Sequence, residues 1–269
     1  MATLLLVRHG RTTANTGGVL AGWTPGVGLD DTGRAQATAL AARLAPVPLA
    51  VAAVSPLQRC QETVDALLDG RDPAVPRTDD DRLGECHYGD WQGRTLTELA
   101  REPMWKVVQQ HPSAAVFPGG ESLRDMQARA VAAVRDHDAR VEAAFGPDAI
   151  WLACSHGDVI KAITADALGT HLDSFQRIVV DPCSVTVLRY TPLRPFAVRV
   201  NDTGAELASL VPVKKRRRRT TRAADSDAAL GGGAGAAVAG GAGAAVGGGV
   251  GAAVAGGAGA AGRPTGRSA

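Results

Sequence analysis

The chain has 269 residues, of which 45% are hydrophobic and 21% charged, but these averages combine two unlike parts. Residues 231 to 262 are almost entirely Gly, Ala and Val, a composition that excludes a specific core there and leaves about 210 residues for one sizeable domain. The net charge of +2 conceals seven positive charges in Lys214–Arg222, so the residues before Lys214 carry −5, which weighs against a nucleic-acid-binding face on that part.

The four cysteines show no C-x-x-C spacing, which favours free thiols in a reducing compartment over disulfides. The first residues lack the basic region of a secretory leader, and the first apolar run is short. We therefore expect a cytoplasmic protein.

The apolar run Leu4–Val7 predicts a first strand that opens into Arg8-His9-Gly10. Thr32 is the predicted N-cap of a helix that continues to Leu44, and residues 50–54 form a second short strand. Ser55-Pro56 is predicted to begin the next helix, with the proline in its first turn, through about Leu68.

Residues 79–93 are rich in Asp and Gly and are predicted to be irregular, and Thr95 with Glu98 forms a capping box. Ser122 opens a long helix to about Phe145, in whose charged stretch His137 is expected to be exposed. A buried strand over 149–154 leads into Ser155-His156-Gly157 and a helix over 158–168, and closing strands are expected over 184–190 and 196–200. This alternation predicts a three-layer α/β/α sandwich with a mostly parallel sheet.

Two histidines, His9 and His156, each follow a buried strand and precede a glycine. Because ligands of open α/β sheets collect beyond the carboxyl ends of parallel strands, we expect both imidazoles at one edge of the sheet. Arg59 at the start of a helix would reinforce an anion site there. Glu85, among glycines and aromatic residues in a loop, is a candidate proton donor because desolvation raises the pKa of a carboxyl group.

Five motifs occur in the order R-H-G-x-T-x-x-N, S-P-L-x-R, G-E-x-x-Y-G-x-W-x-G, G-G-E-S and S-H-G. Any one of them is weak evidence, whereas all five in order are specific. Over residues 3–201 the chain resembles the histidine phosphatase superfamily, in its phosphoglycerate-mutase-like branch. The resemblance implies that family's fold and an enzyme that works through a phosphohistidine.

The resemblance also implies the role of each residue. His9 would be the nucleophile, and Glu85 would protonate the leaving oxygen and then deprotonate the attacking water. Arg8, Arg59 and His156 would hold the phosphoryl oxygens, with Asn15 touching them. Thr12, Tyr88 and Gly157 complete the predicted substrate-binding set. Since the cationic side chains supply the positive charge, we expect no metal and no other cofactor.

The substrate is predicted to be a small phosphomonoester, and hydrolysis is favoured over mutase activity. Mutases of this family carry a long basic insertion, whereas only Arg94–Gly120 separates the corresponding motifs here, and this segment is predicted to form an apolar lid. Mutase activity remains an alternative because Arg11 replaces a commonly acidic residue and because His87-Tyr88-Gly89 and Gln92-Gly93 are mutase-like. A non-catalytic protein that binds phosphorylated ligands is the second alternative.

The domain prediction is a catalytic domain over 1–212, a polybasic linker over 213–230 and a disordered low-complexity tail over 231–269. Lys214–Arg219 could contact an anionic partner, but a solvated linker is the default interpretation. The glycine-rich tail is too weakly apolar to favour a membrane span. A homodimer is left open.

Overall fold

The computed structural model describes residues 2–204 and Gly231, all within one compact unit. The polybasic run and the rest of the predicted tail lie outside the described residues, so the predicted linker and tail boundaries stay predictions. No helix in the described part of the chain is long and apolar enough to cross a membrane.

Six strands and seven α-helices alternate along the described chain. The strands are β1 (Thr3–Arg8), β2 (Leu49–Val54), β3 (Arg77–Asp79), β4 (Ile150–Ser155), β5 (Val185–Arg189) and β6 (Phe196–Asp202). The helices are α1 (Thr13–Gly17), α2 (Asp31–Leu44), α3 (Gln58–Leu68), α4 (Leu96–Leu99), α5 (Trp105–Gln110), α6 (Leu123–Phe145) and α7 (Gly157–Ala167). Short 3₁₀ segments connect several of them.

The strands form one sheet in the order β3-β2-β4-β1-β5-β6. The pairs β2–β3, β2–β4 and β1–β4 are parallel, while β5 and β6 are antiparallel additions at one side. The predicted α/β fold with a mostly parallel sheet is therefore confirmed. Central parallel strands must be covered on both faces, which explains the nearly continuous apolar composition of β1, β2 and β4, whereas the edge strand β3 is polar and exposed.

Alternate residues of β1 enter the two cores on the opposite faces of the sheet. Leu4 and Leu6 pack into the larger core together with α6 and α7, whereas Leu5 and Val7 pack against α2 and α3. Both cores are fully buried around β1 and β4. These two strands thus form the rigid centre of the molecule, and their carboxyl ends are the best-supported positions for functional side chains.

The starts of two helices were predicted wrongly. The N-cap of α2 is Asp30, whose carboxylate accepts the Gly33 N–H, so the helix begins before Thr32. Helix α3 begins at Gln58, which leaves Pro56 outside its first turn. The predicted irregular region 79–93 follows the three-residue edge strand β3, which ends at Asp79, and holds only short 3₁₀ segments. The capping box at Thr95 and the long helix that Ser122 caps are as predicted.

Candidate active site

The pairing register of the two central strands brings the two histidines together. Arg8 lies opposite Ser155 in the parallel β1–β4 pair, so the residues that follow leave the same edge of the sheet side by side. The rings of His9 and His156 are 5.2 Å apart between centroids. Three backbone contacts fix the turn after β1, since the His9 N–H donates to the Ser155 carbonyl and the Gly10 N–H to Thr63 Oγ1, while the Cys183 N–H donates to the Arg8 carbonyl.

The imidazole of His9 has one nitrogen engaged and one available. Nδ1 lies 2.7 Å from the Gly10 carbonyl, which can only accept, so Nδ1 carries the proton and Nε2 keeps its lone pair. Burial, followed by the charges of Arg59 and Arg8, lowers the pKa of His9 well below 6.5. His9 is therefore neutral at physiological pH, as a nitrogen nucleophile must be.

A serine that directly follows β2 contacts the ring of His156. Ser55 Oγ lies 2.7 Å from His156 Nε2 and also accepts the Leu57 N–H. His156 Nδ1 is a buried atom without a hydrogen-bond partner among the described residues. Burial lowers the pKa of His156, as do Arg59 and His9. In the tautomer whose Nε2 accepts the Ser55 hydroxyl, Nδ1 carries the proton and presents an N–H donor suited to an anionic oxygen.

Two guanidinium groups lie beside the histidines with almost no exposure to solvent. Arg8 donates to the Val180 carbonyl at 2.7 Å, and Arg59, in the first turn of α3, donates to the Gly22 carbonyl at 2.9 Å. Burial lowers the pKa of Arg8 to about 10, so it remains charged at neutral pH. Two fixed cations and a neutral N–H donor make a preorganised receptor for a tetrahedral anion.

The carboxyl group of Glu85 completes the cluster. Its Oε1 accepts the Cys86 N–H at 3.0 Å, and its backbone carbonyl accepts the Trp23 indole N–H at 2.6 Å. Burial, assisted by the charge of Asp158, raises the pKa of Glu85 to about 7, while Arg59 and Arg8 oppose the rise. A carboxyl group of this kind can both give and take a proton near neutral pH.

Arg129 and Glu121 support the loop that contains Glu85, a role that the sequence patterns did not predict for either residue. Arg129 of α6 donates to the carbonyls of residues 82, 84 and 85 and binds both carboxylate oxygens of Glu121. Glu121 in turn accepts the His87 N–H at 2.8 Å. The G-G-E-S motif therefore supports the loop from outside the pocket, a role that its sequence position did not indicate.

The predicted site residues occupy two layers. His9, Thr12, Asn15, Arg59, Glu85 and Tyr88 line one pocket, and Arg8 and His156 are buried next to His9 without lining it, the ionisable members being at most 3% exposed. Asn15 Oδ1 accepts both the N–H and the hydroxyl of Thr12, which leaves the Asn15 NH₂ group to face an anion. Gly157 begins α7 and does not line the pocket.

The apolar wall of the pocket comes from a different segment than expected. Val19, Leu20 and Ala21, which follow the first histidine motif, line the pocket with Ala14 of that motif and Leu96. Beyond Leu96, no apolar residue of 94–120 lines the pocket, because Trp105, Val108 and Phe117 are buried in the core, Met104 and Val107 pack against it, and Val116 is exposed elsewhere.

The features that kept the mutase alternative open have structural partners. Arg11 pairs with Asp30 at 2.8 Å, and His87 stacks on Trp23 with ring centroids 4.4 Å apart. Gln92 accepts the Trp23 N–H at 2.8 Å. Arg59 is the only arginine or lysine among the described residues that line the pocket. No second cationic subsite is therefore visible in this part of the chain.

Gly231 is the one described residue beyond Gly204, and it lies in the pocket. Its N–H donates to Asp158 Oδ2 at 2.9 Å, and it lines the pocket beside Leu20 and Tyr88. Among the described residues, no group of three or more His, Cys, Asp and Glu side chains is placed to hold a metal ion.

Comparison with known proteins gives one family. The model of the histidine phosphatase superfamily (branch 1) matches residues 4–203. A 2,3-bisphosphoglycerate-dependent phosphoglycerate mutase 2 of Gloeobacter violaceus is 33% identical over 186 residues, which cover 68% of this chain and 83% of the relative. A glucosyl-3-phosphoglycerate phosphatase of Mycolicibacterium vanbaalenii is 34% identical over 175 residues, covering 64% and 76%.

Solved structures agree with these sequence relatives. YhfR of Bacillus stearothermophilus superposes with a TM-score of 0.68 at 31% identity, over 75% of this chain and 98% of the other. The mycobacterial glucosyl-3-phosphoglycerate phosphatase in complex with VO₃ gives 0.65 at 29% identity, over 74% and 98%. Phosphatases and a phosphoglycerate mutase are thus both among the similar proteins.

Proposed function

Because this chain belongs to the histidine phosphatase superfamily, branch 1, we propose that it hydrolyses a small phosphomonoester through a phosphohistidine on His9. The supporting observation is the buried cluster in which His9 Nε2 lies among Arg8, Arg59 and His156, with the Glu85 carboxyl group, whose pKa is raised to about 7, lining the same pocket as His9. A neutral His9 suits a nucleophile, and a carboxyl group that exchanges its proton near neutral pH suits an acid and base.

In the first step, His9 Nε2 attacks phosphorus as the bond from phosphorus to the leaving oxygen breaks. Arg8, Arg59 and the His156 Nδ1–H would balance the charge that spreads over the three equatorial oxygens. Glu85 gives its proton to the leaving oxygen, which departs as an alcohol. These fixed positive groups support a reaction that needs no metal ion.

In the second step, water takes the place of the departed alcohol. Glu85, now a carboxylate, removes a proton from the water while its oxygen attacks phosphorus and the P–N bond breaks. Inorganic phosphate leaves, and His9 and Glu85 return to their starting states. The net reaction consumes one water for each ester hydrolysed.

The pocket lining supports hydrolysis over mutase activity. A phosphoglycerate or a bisphosphate carries further negative charge, which a second cationic group would have to balance. The described lining offers Arg59 and an apolar wall of Ala14, Val19, Leu20 and Leu96 instead. We infer an ester whose leaving group is uncharged and partly apolar next to the phosphate.

A panel of phosphomonoesters tests this function directly. We expect turnover of p-nitrophenyl phosphate and of uncharged alkyl phosphates, and weaker turnover of glucosyl-3-phosphoglycerate, the substrate in the names of two similar proteins. Phosphate exchange between 2- and 3-phosphoglycerate, stimulated by the bisphosphate, would instead identify a mutase. Absence of any turnover from acid to neutral pH would favour a binding protein.

Truncation after Val213 tests the predicted domain boundary. We expect kcat to stay within about twofold of the full chain, because every described side chain in the cluster lies before Gly204. The KM of a bulky ester should fall, because Gly231 no longer lies in the pocket. A collapse of kcat would show that the boundary is wrong.

A further inference from the structure

Asp158 is a buried carboxylate to which the mechanism above gives no task. It is the second residue of α7, two positions after His156, and is completely shielded from solvent. Its Oδ2 accepts the Tyr88 hydroxyl and the Gly231 N–H, each at 2.9 Å, and its Oδ1 lies 3.5 Å from Lys161 Nζ. Neither residue pattern nor motif marked it as functional.

The charge of Asp158 is only partly balanced by its neighbours. The Lys161 ammonium is farther away than in an ordinary charge-assisted hydrogen bond, and it also donates to Gln176 Oε1 at 2.9 Å. Asp158 and Lys161 are both shielded from water. In such surroundings an incompletely balanced charge acts on other ionisable groups over several ångströms.

Tyr88 connects this carboxylate to the pocket. It follows Glu85 by three residues in the same loop, lines the pocket with it, and packs edge-on against Phe117 at 5.0 Å between ring centroids. Burial and the nearby Asp158 raise the pKa of Tyr88 well above 10, so its hydroxyl remains a donor. The hydrogen bond therefore holds Tyr88 in place while leaving the charge of Asp158 intact.

Charged and titratable groups face Glu85 from every element around it. Those that interact with it electrostatically or lie in its cluster are Arg8 and His9 after β1, Arg59 on α3, His156, Asp158 and Lys161 around the start of α7, and Cys86 and Tyr88 in its own loop. Arg129 of α6 donates to the Glu85 carbonyl and is paired with Glu121. Arg8, Arg59 and Lys161 favour the carboxylate form of Glu85. Asp158 opposes them, whereas the carboxylate of Glu121 is paired with Arg129.

We propose that Asp158 is a positioning residue for the proton donor: held between Tyr88 and Lys161, it places Tyr88 in the pocket wall and supplies the negative charge that keeps Glu85 protonated among three cations. This inference rests on the proposed function. Arg8 and Arg59 bind the phosphoryl group, but without an opposing charge they would favour ionisation of Glu85, which must stay protonated in order to protonate the leaving oxygen.

The test is the pH dependence of kcat/KM for an alkyl phosphate in Asp158→Asn. Asparagine can still accept the Tyr88 hydroxyl but has no charge, so the alkaline limb, which reports ionisation of Glu85, should move down by about one pH unit. The ratio of mutant to wild type cancels the titration of the substrate. This ratio should stay within about twofold at pH 5.5 and fall about tenfold at pH 8. A ratio independent of pH overturns the proposal.

Tyr88→Phe is the matched control, because it removes the hydrogen bond and keeps the charge of Asp158. The ratio of its kcat/KM to that of wild type should be independent of pH, and any loss of kcat/KM should come from a higher KM. A limb displaced as far as in Asp158→Asn would show that the hydroxyl, and not the charge, controls Glu85, and would overturn the proposal.

Lys161→Gln provides a second measurement if Asp158→Asn does not fold. It removes the positive charge beside Asp158, so the alkaline limb should move upward, opposite to the first variant. A limb that stays or moves downward overturns the proposal. Failure of the proposed function would give a different result. The wild type would then show no turnover, or it would show an alkaline limb that Glu85→Gln leaves in place.

Discussion

Replacing His9 with alanine is expected to lower kcat for every phosphomonoester by on the order of 10⁴-fold or more, because the attacking atom is lost. The ring is buried and, among the described residues, its Nδ1 bonds only to the neighbouring Gly10 carbonyl, so the fold should survive the change. Rapid mixing with ³²P-labelled substrate and quenching in alkali should trap label on wild type, since a P–N bond to histidine is stable in base. The variant should trap none.

His111→Ala is the matched control for this loss. His111 is exposed at the end of α5 and lies outside the pocket, so its removal should leave both the rate and the labelling unchanged. Peptide mapping must place the label on the ninth residue. Label recovered on another side chain, or retained in His9→Ala, would contradict the proposed nucleophile.

Replacing Glu85 with glutamine is expected to slow hydrolysis of an alkyl phosphate by about 10²- to 10⁴-fold, because an alkoxide leaves poorly without a proton. The loss in the first step should be much smaller with p-nitrophenyl phosphate, whose phenolate is a good leaving group. The second step still lacks its base, so phosphoenzyme should accumulate and produce a burst of p-nitrophenol. Equal losses for both substrates without a burst would contradict the assigned role.

The same substitution should stabilise the fold at alkaline pH. Because the pKa of Glu85 is about 7 in the folded protein, against 4.5 for an ordinary glutamate side chain, the unfolded chain ionises first as pH rises. Ionisation of this carboxyl group therefore lowers the free energy of unfolding between about pH 4.5 and 7, by roughly 3 kcal/mol in total. Glu85→Gln should recover most of this at pH 8 and little at pH 5.

Denaturant titrations at the two pH values measure this difference. Glu142→Gln, at an exposed position on α6, is the matched control and should show no comparable pH-dependent gain. A Glu85→Gln variant that is less stable than wild type at pH 8 would contradict this prediction, because it would mean that the folded protein stabilises the ionised form of Glu85. Gain in stability with loss of activity is the expected signature of a strained catalytic group.

Several side chains show why residue patterns alone did not complete the site. His137 was expected to be exposed but is buried, with Nε2 2.9 Å from Asp80 Oδ2 and its ring against Trp151. Its partners are distant in sequence, so helix periodicity could not identify them. Ser55 was noted only as the start of a motif, and its contact with His156 joins residues 101 positions apart.

The sequence by itself determined the alternation of strands and helices, the two strand-end histidines and the set of candidate residues, because periodicity, caps and motif order are properties of neighbouring residues. Only the tertiary structure decided which of these groups share a buried space. The β1–β4 register sets His9 beside His156, and chain folding brings Asp158 and Lys161 to the Glu85 loop. Protonation depends on burial and on charges from distant segments, so the states of His9 and Glu85 follow from packing.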